Sequence, residues 1–457
     1  MERRIERSLP WRHKPFPELV RLAWPIAVST LSYSVMTLVD TLFVARLGAA
    51  ALAGVGLGGV ASFMVLCFGF GALRAVNVLV AQAVGAGDRA RARTWLWTGI
   101  WAALALGVAM LAVGQAVASV LHHLAGSEAA GWHAEAYVSV RLFSAPLLMI
   151  YVALREHRYG LGDTRTPMVA ALAGNVANIV LDWLFIVEWS WGVAGAAWAT
   201  VIGHGLEAVL LVAVAARERL WPVRVGWSEL KQLLDLGVPT GAQFWMEVGS
   251  FGLLTAIIAS LGDVQLAAHQ IALQVVHFSF LPAMALGEAG AVLAGQAVGA
   301  GEVRLVRRVA RLAALSAIAY TGACTVVVVA GGSLIASAFT ADAALSSVTV
   351  SLLWMSSAFL VADGAAVVAR GVLRGTGDVR FPAVVGIACA WVCTPPLAWL
   401  LGRVAGLGAL GGWIGLSLEI AIAACILWWR LERAGWLAWA RRSRARLRAD
   451  RLALAPA

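Results

Sequence analysis

The chain has 457 residues, of which 61% are hydrophobic and 13% charged, with a mean hydropathy of +0.82. Soluble domains carry about 25% charged residues, and a soluble monomer could not hide this much apolar surface, so a water-soluble enzyme, a disordered chain and a DNA-binding domain are excluded. The net charge of +10 sits in short clusters between apolar runs, which is how membrane topology is marked and not how a nucleic-acid-binding face is built.

Residues 1–16 are polar and basic and read as a cytoplasmic segment. The apolar run that follows is too long for the core of a cleavable signal. A bilayer core of about 30 Å needs roughly 20 apolar helical residues. Six such runs fall at about 17–47, 53–84, 95–121, 134–158, 167–188 and 192–216. A polar linker, 217–230, comes next, and six further runs fall at about 231–261, 267–297, 307–337, 343–373, 381–402 and 408–430. A basic tail, 431–457, closes the chain. No run alternates with period 2, so helices are the expected spanning elements. The expected fold is an all-α integral membrane protein of twelve transmembrane helices. The five cysteines show no CxxC spacing and lie in apolar runs, as small buried hydrophobes do.

With both termini placed inside, the inner segments carry nearly all of the Lys and Arg, including Arg89, Arg91, Arg93, Arg304, Arg307 and Arg308. The outer side keeps little beyond Arg46 and Arg403. By the positive-inside rule both termini are cytoplasmic. The alanine-, arginine- and leucine-rich composition suits a bacterial inner membrane.

The chain repeats itself. AQAVGAGD at 81–88 recurs as GQAVGAGE at 295–302, 214 residues on, and Pro25 and Pro239 share that spacing. YGLGDTRTP at 159–167 recurs as RGTGDVRFP at 374–382, 215 residues on. Residues 17–216 and 231–430 are therefore read as two pseudo-symmetric six-helix bundles. An even helix number gives both the same orientation, so their twofold runs along the membrane normal, as in transporters whose cavity lies between parallel repeats. In the GxGDxRxP turns Gly supplies a tight backbone, Asp can cap the next helix and Pro can start it. No GxxxxGK[ST] is present, which argues against an ATP-driven pump.

These paired motifs, with GVAGAAWAT at 192–200 and AAHQIALQ at 267–274, resemble the multidrug and toxic compound extrusion (MATE) transporters over essentially the whole chain. The pattern of Asp40 with Asn178 and Asp182 is most similar to the DinF-like branch. The resemblance implies a monomeric antiporter, not an enzyme. It would export organic, often cationic, small molecules in exchange for H⁺ or Na⁺ by alternating access between two bundles. It implies no cofactor and no nucleic-acid partner.

An ionisable group inside a spanning helix is a functional candidate by default. At 1.5 Å per residue, Asp40, Asp182 and Thr200 all lie about 9–12 Å below the outer surface. Asn178 is one turn from Asp182 on the same face. Two acids, an amide and a hydroxyl at one depth make a proton or Na⁺ site, and two close carboxylates cannot both ionise without a counter-cation. The repeat sets Leu254 opposite Asp40 and Leu397 opposite Asp182, so the site belongs to the first half. Met36, one turn before Asp40, stands where Na⁺-associated relatives often have tyrosine. Glu247 and Asp363, about 24 and 16 Å from the inner end, are secondary candidates for coupling or for attracting cations. Arg74 and Glu288 occupy equivalent repeat positions and could pair as a gate. Glu207 and Glu419 are read as pairing locally, and His204 and His269 as helix-packing residues. Pro25 permits a bend in the first helix that protonation of Asp40 could drive.

Two other readings compete. A lipid or lipid-linked-sugar flippase of a related superfamily would favour a basic cavity, for which Arg74 and Arg141 are the plausible residues. A membrane-embedded enzyme would need a catalytic motif, and neither HExxH nor GxSxG occurs.

Overall fold

The computed structural model describes residues 9–453; positions 1–8 of the N-terminal segment and 454–457 of the tail lie outside the described residues. Among the described residues all regular structure is helical, and twelve helices are long and apolar enough to cross a bilayer. They are α1 (Pro15–Ala45), α2 (Ala49–Gly85), α3 (Arg89–His123), α4 (Glu128–Leu161), α5 (Arg165–Glu188) and α6 (Gly192–Arg217), then α7 (Trp227–Ala259), α8 (Asp263–Ala300), α9 (Val303–Phe339), α10 (Ala343–Gly375), α11 (Arg380–Val404) and α12 (Ala409–Glu432). A thirteenth, polar helix, α13 (Leu437–Ala453), follows.

Each expected span has its helix, and several helices overrun the apolar stretch. α3 starts at Arg89 and α9 at Val303, each a turn or more before hydropathy registers. Hydropathy senses only the lipid-facing length, whereas the backbone ladder continues into water as turns that carry arginine. On the outside of the helices, large apolar side chains stay exposed, among them Val326, Val327, Leu334 and Val392. In water that would be prohibitive; in a bilayer it is the solvent-facing surface.

The repeated motifs fold as repeated turns. Gly87, Gly162, Gly301 and Gly377 follow α2, α4, α8 and α10 with φ of +72°, +85°, +87° and +89°, the left-handed conformation that glycine adopts without a Cβ clash. After Gly162, Asp163 Oδ1 accepts from the Thr166 N–H at 3.1 Å, the capping role expected of it. Asp378 at the equivalent position lies within hydrogen-bonding reach of the Phe381 N–H and also receives Arg430 Nε at 2.6 Å.

The helices pack as two compact units. One comprises Val28–Val80 and Arg89–Gly241, with a core that includes Leu73, Leu96, Met149 and Leu211. Among the described residues, the other comprises 9–27, Ala81–Asp88 and 242–453, with Leu254, Phe359 and Trp413 in its core. The division passes through α1 after Ala27 and through α7 after Gly241, two residues beyond Pro25 and Pro239, both of which lie inside unbroken helices. Within the second unit the two QAVGAG motifs meet backbone to backbone. A Cβ on Gly85 would run into the Gln296 carbonyl, and one on Gly299 into the Gln82 carbonyl.

Candidate functional site

The first-half residues singled out by depth converge. α1 carries Asp40, α5 carries Asn178 and Asp182, and α6 carries Thr200. Asn178, Asp182 and Thr200 are buried and Asp40 is half-buried. In the amide orientation that satisfies both of its ends, Asn178 Nδ2 donates to Asp40 Oδ1 at 2.8 Å and its Oδ1 accepts from the Thr200 N–H at 3.2 Å. The Thr200 hydroxyl donates to the Ala196 carbonyl at 3.1 Å. Asp182 is fully buried and lies within hydrogen-bonding reach of the Asp40 carboxyl. Neither of its oxygens meets an N–H or O–H donor. A pair of facing acids in this state needs a proton, or another cation, between them.

The α-helix of α5 ends at Asp182, and the next residues, Trp183–Glu188, wind as a π-helix. Such insertions often mark functional sites, but here α11 repeats it at Ala398–Val404, directly after Leu397. The wider turn thus belongs to the duplicated fold, and the acid was placed on it in one half alone.

The structure adds residues that depth counting missed. The Arg141 guanidinium on α4 lies within hydrogen-bonding reach of the Tyr33 hydroxyl, 5.8 Å over the Tyr137 ring, and acts electrostatically on both Asp40 and Asp182. An arginine within the outer half of a span was the available signal. His204 also reaches Asp40 electrostatically and holds Glu207 at 3.1 Å through Nδ1.

The second-half candidates are placed differently. Glu247 on α7 pairs with Arg370 on α10 at 3.0 Å and accepts from Gln243 Nε2 at 2.9 Å. Asp363, on the same α10, sits in the field of both Arg370 and Glu247. Glu419 on α12 accepts from the Thr394 hydroxyl. Glu288 on α8 pairs with Arg374 at 2.6 Å, a partner within its own unit, and Arg74 is half-buried on α2. Buried His269 accepts from Trp413 Nε1 at 3.0 Å and meets the Thr255 hydroxyl at 3.2 Å, a helix-packing arrangement.

Residues 25–184 and 239–400 match the MatE family, one match in each half of the repeat. A probable multidrug resistance protein NorM of Bradyrhizobium diazoefficiens is 32% identical over 434 residues, spanning 90% of this chain and 92% of the relative. The NorM relative of Deinococcus radiodurans is 31% identical over 424 residues, 90% of this chain and 93% of the relative. Among solved structures, MATE in the bent conformation superposes with a TM-score of 0.86 at 22% identity, over 96% of this chain and 98% of that one. The eukaryotic MATE transporter AtDTX14 superposes with a TM-score of 0.87 at 18% identity, over 95% and 99%.

Proposed function

This chain belongs to the MatE family of membrane transporters, and on that premise we propose that it is a secondary antiporter exporting organic, often cationic, compounds in exchange for protons carried by the Asp40–Asp182 pair. The observation that carries the reading is the fully buried Asp182, which lacks a donor and faces a second acid. One proton shared by the pair satisfies both carboxyls, and its loss leaves two adjacent negative charges in low dielectric. That change in charge is large enough to bias a two-state equilibrium of the bundles.

Asn178 and Thr200 complete an oxygen-rich set that could instead coordinate Na⁺. Two features favour H⁺. Arg141 already supplies positive charge to both acids, which disfavours a second full cation beside them. Met36, buried one turn from Asp40, offers a thioether where a hard cation wants oxygen. The NorM multidrug resistance relatives and the Lys and Arg distribution support an inner-membrane transporter with both termini cytoplasmic. The two six-helix halves, 17–216 and 231–430, would be its alternating bundles.

The test uses purified protein in liposomes with a fluorescent cationic dye, under an imposed pH gradient and then an imposed Na⁺ gradient. Dye movement driven by the pH gradient and lost in Asp40→Asn is the expected result. Movement driven only by Na⁺ would reassign the ion. Movement under neither gradient, with the protein folded, would overturn the antiport reading and lead to a lipid-scrambling assay on the same vesicles.

A further inference from the structure

A cavity of about 510 Å³ opens beside the first turns of α9, at the membrane end where the Lys and Arg are concentrated. Six of its lining residues are cationic or titratable to cations: His13, Lys14, Arg304, Arg307, Arg308 and Arg311. The lining contains no carboxylate. Arg311 is held by Glu432 through two bonds of 3.0 and 2.8 Å. Arg307 also acts electrostatically on Glu432, whereas among the described residues Lys14, Arg304 and Arg308 form no salt bridge.

The cluster is assembled by the fold. The segment before α1 is tied down at two points. Buried Trp11 donates Nε1 to Gln296 Oε1 at 2.9 Å, and Arg12 pairs with Glu302 at 3.0 Å. These bonds set His13 and Lys14 beside α9. Like charges gathered this way repel one another unless an anion joins them.

Beyond the cations the lining is apolar. Arg304, Arg308, Arg311 and Leu315 follow one another at helical spacing along the exposed face of α9, while Leu305, Val306, Val309 and Ala310 are buried behind them. From Arg304 to Arg311 the face runs about 10 Å. It then turns to leucine, with Leu312 and Leu315 lining the cavity alongside exposed Phe16. Farther along, the same helix exposes Val326 and Leu334. Cations at the rim above an apolar wall match the two ends of an anionic phospholipid.

We propose that this cavity binds an anionic phospholipid, with its phosphodiester on Lys14, Arg304, Arg307 and Arg308 and an acyl chain against Phe16, Leu312 and Leu315. The site depends on the chain spanning a membrane and not on its coupling ion. A general attraction of basic residues to an anionic surface would not require the apolar wall, nor would it distinguish this cluster from the basic residues of α13.

The experiment follows retention of phosphatidylglycerol, phosphatidylcholine and inorganic phosphate by the full chain in detergent, using native mass spectrometry. The native chain should retain phosphatidylglycerol and neither of the others. Removing three cations, at about 1 kcal/mol each near an anionic headgroup, should weaken retention in R304Q/R307Q/R308Q about a hundredfold. L312S/L315S should lose lipid retention while its charge is unchanged. R441Q/R442Q, on α13, should retain lipid as the native chain does. Equal retention of phosphatidylcholine, unchanged retention in the triple variant, or equal loss in R441Q/R442Q would overturn the proposal. Retention of inorganic phosphate in place of lipid would make this an anion site and overturn it too. Should the triple variant not fold, R304K/R307K/R308K decides: it preserves charge and should keep phosphatidylglycerol, and its loss would count against the site.

Discussion

The two halves share a fold, yet Asp182 in the first and Glu247 and Glu288 in the second sit in opposite surroundings. In the first half, Asp182 has a second acid for a neighbour and no donor on either oxygen. In the second, Glu247 is met by Arg370 at 3.0 Å and Gln243 at 2.9 Å, and Glu288 by Arg374 at 2.6 Å. Where the first half places Asp40 and Asp182, the second has Leu254 and Leu397, and Leu254 is core. An acid already matched by a guanidinium gains little by binding a proton, whereas an acid facing an acid changes its whole environment when the proton leaves. Duplication supplied the scaffold twice, and the chemistry then diverged within it.

The sharpest way to break this contrast is Asp182→Asn. It should abolish proton-driven dye transport, a loss of at least about a hundredfold given the 10²–10⁴ range typical of a removed proton-transfer group, while the protein still purifies folded. Coupled transport at native rate would end the distinction between the halves. Gly85→Leu comes next in size. It drives a side chain into the Gln296 carbonyl, and overpacking of this kind costs about 1–3 kcal/mol. A thermal melt should show it, and an unchanged midpoint would mean that the two QAVGAG motifs separate at no cost.

Glu247→Gln should do less. It leaves Arg370 without its carboxylate, but both side chains are partly exposed, at 28% for Arg370 and 18% for Glu247, so solvent absorbs much of the loss and about 1 kcal/mol is expected. Adding Arg370→Met should recover that loss if the pair is structural. Proton coupling should survive in both variants, and its disappearance in Glu247→Gln would move part of the coupling into the second half. Pro25→Ala should have the smallest effect on stability and a selective effect on coupling, because it restores the backbone bond whose absence lets α1 bend. Unchanged proton-coupled transport in that variant would remove bending at Pro25 from the mechanism.

Much of the candidate site could be found by counting residues. Asp40, Asp182 and Thr200 were placed at one depth by their distance from the ends of their spans, and Asn178 followed from helical period. The partners of the other charges could not be found this way. Within its own unit Glu288 pairs with Arg374, 86 residues along the chain. Glu247 and Arg370 lie 123 residues apart. Arg141 looked like one of two cavity cations, and its link to Tyr33 and the acid pair appears only once α1 and α4 are packed. Depth is a one-dimensional quantity that each helix carries alone; pairing depends on how each helix is rotated about its axis against its neighbours.

The sequence by itself therefore determined the solvent, the number of spans, the duplication and the position of each acid along its span. The bilayer acts on each segment separately, through local hydropathy and length, and a duplicated gene repeats its turns whatever the packing. Tertiary structure alone decided which acids are neutralised and which are left facing one another. It also decided that the basic start of α9 would be joined by Lys14 above an apolar wall. Those outcomes rest on side chains dozens to hundreds of residues apart meeting within about 3 Å, and no local property of the chain encodes that distance.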